Sequence, residues 1–252
     1  MIALLREVSP RLARCELSYL ERAVIDVPRA QRQHAAYAAE LAALGCRLEW
    51  LEPLPQHADG VFVEDTAVVL PEVAVVARPG AASRRGEAES TASALARHRP
   101  LRRIVGPGCL DGGDVVRIGR ELYVGASQRT NAAGTGQLAA ALAPWGYRVQ
   151  EVAMRDCLHL KSAVTFIPPD VLLVNPAWVD PPAFGTHRVI AVAEGEAFAA
   201  NTLSLEGVTL ISAAFPATRR ALEEAGIATR ALDVSELQKA EAALSCLSLI
   251  LE

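Results

Sequence analysis

An α/β chain of five pseudo-repeated strand-and-helix units closed around a central axis is the fold this sequence predicts, on three observations. Segments with amphipathic-helix spacing alternate with paired β-branched runs along the whole length. The polar or reactive residue that opens each hairpin recurs at Asp65, Asp114, His159, Asn201 and Cys246, at intervals of 49, 45, 42 and 45. Finally, 252 residues that are 51% hydrophobic and 21% charged suffice for a sizeable core in one globular domain spanning 1–252.

The helical segments run over Pro28 to Leu44, Gly86 to His98, Asn131 to Trp145, Pro216 to Ala225 and Ser235 to Leu244. The strand segments are Val61 to Leu70 with Val73 to Ala77, Val115 to Ile118 with Glu121 to Val124, Ala163 to Ile167 with Val171 to Val174, and Val208 to Ile211. Each run is bounded by Pro, Gly, Asp or Glu, as hairpins require. A unit of this size cannot bury the apolar face of its helix alone. Five of them closed into a ring can, and their opening residues then converge on the channel. An ordinary mixed α/β domain would also space its strands at such intervals, so the pattern alone leaves both arrangements open.

Charge narrows the function. Lys+Arg 25 against Asp+Glu 29 gives a net charge of −4, and the basic residues are dispersed, which argues against a nucleic-acid partner. The start, MIALLREVSP, carries no signal-peptide pattern and no apolar run approaches a membrane span, so a cytoplasmic protein is expected. The five cysteines, Cys15, Cys46, Cys109, Cys157 and Cys246, show no CxxC and no zinc spacing, so neither a disulfide framework nor a metal site is expected.

The opening residues are polar although strongly apolar residues follow each of them, and a buried polar group is costly unless paired or used. Together they offer a thiol, an imidazole and carboxylates, the parts of a nucleophilic site. Cys246 in ALSCLSLIL could also be a small buried hydrophobe, and His159 in CLHLKSAV a satisfied core histidine. Asp111 in LDGGDV reads either as a turn residue or as the acid behind the histidine. Glu64 and Asp65 interrupt the apolar run VFVEDTAVV, where a cationic ligand would account for them. Arg84 and Arg129 follow strand segments and could clamp a carboxylate.

Seven segments in order, FVEDTAVV, RPGAASRRGE, LDGGDV, YVGASQRTN, HLKSAVT, LLVNPAWVD and SELQKAEAALSCLSLIL, resemble the dimethylarginine dimethylaminohydrolase family of the guanidino-group-modifying superfamily, from about Arg6 to Leu251. The resemblance implies a five-bladed α/β propeller that hydrolyses Nω-methylated arginine to citrulline and methylamine or dimethylamine. It implies Cys246 as nucleophile, His159 as general acid and base, and Asp111 as the acid behind it. Asp65 and Glu64 would hold the guanidinium, Asp59 the α-amino group, and Arg84 and Arg129 the α-carboxylate. Leu17 would lie over the site as a lid residue, and Ala240 would complete the substrate contacts. No cofactor is implied. The partner expected is the small-molecule substrate, with a homodimer left open.

Related deiminases carry a second guanidinium-binding Asp two residues after the histidine, where this chain has Lys161. The change leaves room for N-methyl groups. Some family members have Asp at the position of Glu241 and a second Cys at that of Leu247, so the rim of the site differs. A deiminase or amidinotransferase of the same superfamily, and a non-catalytic amino-acid-binding propeller, remain the alternatives at this point.

Overall fold

The computed structural model describes all residues, Met1–Glu252. The chain opens with β1 (Ile2–Leu5), α1 (Val27–Ala43) and β2 (Arg47–Trp50). Four units then follow one plan: an antiparallel hairpin, a crossover, and a third strand parallel to the second. Strands β3 (Ala67–Val69) and β4 (Ala74–Val76) lead through α2 (Ala88–Leu95) to β5 (Leu101–Arg103). Next, β6 (Val115–Ile118) and β7 (Glu121–Gly125) lead through α3 (Ala132–Leu142) to β8 (Arg148–Val152). After the one-turn α4 (Leu160–Ala163), β9 (Val164–Ile167) and β10 (Val171–Val174) lead to β11 (Arg188–Ala191). The fourth unit comprises β12 (Leu203–Leu205), β13 (Val208–Ser212), α5 (Pro216–Glu224) and β14 (Ala228–Leu232). Past the short α6 (Ser235–Gln238), β15 (Leu249–Leu251) pairs antiparallel with β1, Ile2 opposite Leu251.

The fifth unit is therefore assembled from both ends of the chain, with β15 and β1 as its hairpin, α1 as its crossover and β2 as its third strand. Five three-stranded sheets result. Their first strands face one axis: Val68, Val116, Thr165, Ser204 and Ile250, one from each sheet, line a single central cavity of about 380 Å³. The propeller expected from the interval series is the fold observed.

Local chemistry explains the elements. Asp26 caps α1 by accepting the Arg29 N–H, and Ala30, Tyr37, Ala38 and Leu41 form its buried face. The helix stops at Gly45, in the left-handed region at φ +85°, where the Cys46 N–H returns to Leu41 O and the Gly45 N–H to Ala42 O. Gly226 ends α5 in the same way, at φ +88°. Both glycine turns feed a third strand. The largest apolar cluster, including Leu5, Leu12, Tyr37, Leu41, Leu210, Leu237, Leu244 and Leu247, ties the closing unit to the fourth, and each such side chain removed from water contributes about 1.5–3 kcal/mol.

Three sequence expectations are corrected. The run Val61 to Leu70 is strand only from Ala67; Val63–Thr66 is a 3₁₀ turn, tied by the Thr66 hydroxyl donating to Val63 O. The helix expected over Gly86 to His98 divides into a 3₁₀ turn, Ala82–Glu87, and α2. The helix expected over Ser235 to Leu244 ends at Gln238, because the chain turns at Glu241, φ +58°, and carries Cys246 inward. No helix is long and apolar enough to cross a membrane.

Candidate active site

At one end of the channel the hairpins are preceded by turns rather than by continuous strand, and these turns aim the opening residues at one another. Asp65 sits in the turn Val63–Thr66, Asp114 in Gly112–Asp114, Cys246 in Ser245–Leu247, and His159 is the residue that opens α4. Successive side chains on a 3₁₀ turn point about 120° apart, so only selected positions of each turn face inward. A tight cavity of about 20 Å³ is lined there by Asp59, Asp65, Arg84, Arg129, His159, Ala240 and Cys246. Seven of the ten expected site residues thus meet at one place.

Asp111 stands behind them, fully buried. The His159 Nε2–H donates to its Oδ2 at 3.0 Å, while its Oδ1 accepts the Gly80 N–H at 2.8 Å. On the other side of the ring, Nδ1 faces Asp65 Oδ1 at 3.8 Å, an ion-pair distance. Asp114 fixes the peptide beyond the histidine by accepting the Leu160 N–H, and it is held in turn by the Ser127 and Thr130 hydroxyls. The glycines of LDGGDV are sterically required. A Cβ on Gly112 would lie 2.0 Å from Glu64 O, and one on Gly113 would lie 2.7 Å from both Asp65 Oδ1 and His159 Nδ1.

The electrostatics follow from this crowding of carboxylates. Burial by itself would lower the His159 pKa, but Asp65, Asp114 and Asp111 reverse the effect and raise it to about 9, so the ring is an imidazolium at neutral pH. Burial would raise the Asp65 carboxyl; His159, Arg84 and the Gly113 N–H outweigh it and hold Asp65 ionised. Burial first, then Glu64 and Asp65, push the half-buried Cys246 thiol far above its ordinary value, with Lys161 opposing. Asp59 is raised to about 6, chiefly by burial. The site thus sets a thiol with a raised pKa among carboxylates, two arginines and an imidazolium.

The atoms of Asp65, Asp111 and His159 that could ligate a metal lie within 4.8 Å of one another. Their carboxylate oxygens are already engaged, however, by Arg84 and the Gly113 N–H on Asp65 and by His159 and the Gly80 N–H on Asp111.

Three expected residues stand differently. Glu64 does not face the tight cavity: it accepts from Lys161 Nζ at 2.6 Å and the Ser245 hydroxyl at 2.7 Å and lines the larger channel, because its neighbour Asp65 takes the inward position of the same turn. Leu17 is half-buried against the main apolar cluster, beside the cavity and not in its lining. Arg84 lines the cavity, but its guanidinium is committed to Asp65 at 2.5 Å, Glu87 at 2.9 Å and the carbonyl of Phe62. Sequence reasoning missed Glu16, which lines the cavity, as well as Glu87 and Thr130. Only Glu87 had a signal, three residues after Arg84 on one turn.

Fold and site define a class: a five-unit α/β ring with a thiol, an imidazole and paired carboxylates at one end of its channel, suited to covalent chemistry on a cation. Comparison with known proteins makes it specific. No protein-family model matches the chain. The curated N(G),N(G)-dimethylarginine dimethylaminohydrolase of Streptomyces coelicolor is 40% identical over 248 residues, 98% of this chain and 95% of that protein. Its namesake from Pseudomonas aeruginosa is 34% identical over 226 residues, 89% of each. The solved structure of DDAH from Pseudomonas aeruginosa, a cysteine-to-serine variant complexed with citrulline, superposes with a TM-score of 0.94 at 31% identity, over 98% of this chain and 97% of that one. The N-terminal domain of ArgZ, a cyanobacterial arginine dihydrolase, shares the fold at a TM-score of 0.87 and 21% identity, over 98% of this chain and 96% of that one. This chain belongs to the dimethylarginine dimethylaminohydrolase family.

Proposed function

We propose that residues 1–252 work as one hydrolase domain that converts Nω-methylated arginine and water to citrulline and the corresponding methylamine, with Cys246 as nucleophile. The observation that carries this reading is the convergence of Cys246, His159 and Asp65 on one cavity, with Asp111 hydrogen-bonded behind the histidine. Asp65 pairs with the guanidinium, Asp59 takes the α-ammonium, and the α-carboxylate goes to Arg129, with Arg84 as the second cation of the same wall. Ala240 leaves space beside the chain of the substrate. Glu64 acts from beneath, where its bond to Lys161 spends its charge and leaves the methylated nitrogen uncrowded.

The free thiol is protonated and the imidazole charged, so the reactive pair is completed only with substrate present. A guanidinium a few ångströms from sulfur favours the thiolate, and the thiol proton leaves to solvent. The thiolate forms an S–C bond to the guanidinium carbon. The tetrahedral adduct expels the methylated nitrogen as its C–N bond breaks, and the Nδ1–H of His159 protonates it. A covalent thiouronium remains. His159, now neutral, takes a proton from water and becomes imidazolium again, the hydroxide adds to the same carbon, and the C–S bond breaks with the sulfur leaving as thiolate. The hydroxyl proton is released, the ureido group of citrulline results, and the thiolate regains a proton from solvent. The test is incubation with arginine, monomethylarginine and asymmetric dimethylarginine, scored separately for citrulline, ammonia, methylamine and dimethylamine. Dimethylamine in equal amount to citrulline supports the reading. Ammonia from arginine as the main product would assign a deiminase.

A further inference from the structure

We propose that Glu241 is a positioning residue that latches the segment 16–20 over the substrate cavity, through a tether of residues 18–20 that substrate does not contest. Besides the Ser83 hydroxyl, which donates to the Glu16 carboxylate at the start of the segment, three sets of hydrogen bonds hold it. The Glu16 N–H donates to both oxygens of Asp59 at 3.2 Å, and Arg129 Nη2 donates to the Ser18 hydroxyl at 3.0 Å. The third set converges on Glu241, whose carboxylate accepts the N–H groups of Ser18, Tyr19 and Leu20 at 2.5–3.0 Å. Three successive backbone N–H groups form a concavity suited to an anion. Leu17 lies between the first tether and the other two.

The proposal rests on the function proposed above, in which Asp59 and Arg129 are the groups that receive the α-ammonium and α-carboxylate. A ligand engaging them competes with the tethers through Asp59 and Arg129 at the moment the cavity must be covered, which leaves the Ser83 bond to Glu16 and the Glu241 latch on residues 18–20. Glu241 has no such second duty. Its backbone lies at φ +58°, in the left-handed region that glycine adopts far more readily, so the turn alone does not account for a glutamate. The side chain does. Glu241 also stands five residues before Cys246 and lines the tight cavity beside it, so the latch joins the covering segment directly to the loop that carries the thiol.

The test compares wild type, Glu241→Ala and Glu241→Gln by amide hydrogen exchange, with and without saturating citrulline, and by steady-state kinetics on asymmetric dimethylarginine. In wild type the amides of Ser18, Tyr19 and Leu20 should stay protected when citrulline is bound, while the Glu16 amide loses protection. In Glu241→Ala the three amides should exchange at least tenfold faster and KM should rise about tenfold with kcat changed about twofold or less. Glu241→Gln keeps an acceptor oxygen and the side-chain shape and should fall between, which guards against a variant that simply fails to fold. Rapid exchange of residues 18–20 in citrulline-saturated wild type, or unchanged KM and exchange in both variants, would overturn the latch. Absence of turnover in wild type would instead overturn the substrate reading, and the exchange comparison without ligand would still decide the latch.

Discussion

The two ends of the central channel belong to one ring of units and have opposite characters. One is a cavity of about 380 Å³ lined by residues of the five first strands, mixed in polarity and with few charges. The other is a cavity of about 20 Å³ in which two arginines, a histidine, a cysteine and several carboxylates crowd together. Regular strand pairing thus makes the tube, and the irregular turns before the strands make the chemistry. Glu64 and Asp65 show the contrast at its sharpest: consecutive carboxylates on one turn, the first paired with Lys161 toward the channel, the second with Arg84 and the Gly113 N–H at the site.

That contrast sets the largest expected effect. Asp65→Asn should lower kcat/KM on asymmetric dimethylarginine by about 10³-fold, because it removes the carboxylate that faces His159 and, in the function proposed, pairs with the guanidinium. Glu64→Gln should cost about tenfold or less, and equal losses would erase the distinction between the two residues. Gly113→Ala should lower kcat by about 10²-fold in a folded protein, since its methyl must displace Asp65 or His159, and wild-type kcat would show that this packing does not matter.

The pH dependence sharpens the same point. His159 titrates at about 9 against an ordinary 6.5, so the imidazolium needed to protonate the leaving amine is lost as pH rises through about 9, and kcat/KM should fall there. The stability sign agrees: a raised histidine pKa gives a contribution that is full below about 6.5 and lost as pH rises through about 9. In Asp65→Asn the alkaline limb should move to lower pH, because the first of the carboxylates holding the proton is gone. A pH–rate profile unshifted in Asp65→Asn would detach the two groups. The smallest effect lies far from both ends: Gly136→Ala in α3, where an added Cβ meets nothing within 4 Å, should stabilise by about 0.5–1 kcal/mol and leave kcat unchanged, measurable as a rise in Tm.

Much of this was legible in the sequence, and the rest failed for identifiable reasons. Hairpins such as Val115–Ile118 with Glu121–Gly125 declare themselves because the first strand is mostly β-branched and the second largely buried. The third strands β2, β5, β8, β11 and β14 escaped notice because nearly every residue in them is exposed or only half-buried, with sequences such as LRR and ATRAL that carry no apolar run. Only a preceding glycine, as at Gly45 and Gly226, marked some of them. The spacing of polar openers located the site through Asp65, His159 and Cys246, while Asp114 supports the peptide after the histidine and Asn201 bonds Ser245 instead of lining the cavity. Which way a side chain points on a 3₁₀ turn is invisible to spacing, and this is why Glu64 was expected in the cavity and lies in the channel. The latch at Glu241 joins residues more than 220 positions apart, beyond the reach of any local pattern.

The central claim is that Cys246 forms a bond to the guanidinium carbon and that His159 serves the departing and attacking groups. It is tested most directly by treating wild type, His159→Ala and Cys246→Ser with a thiocitrulline-type substrate whose leaving group needs no proton, followed by peptide-level mass spectrometry. A covalent adduct on Cys246 should accumulate in His159→Ala, turn over in wild type and be absent from Cys246→Ser. An adduct on Cys15, Cys46, Cys109 or Cys157, or undiminished turnover in Cys246→Ser, would contradict the account.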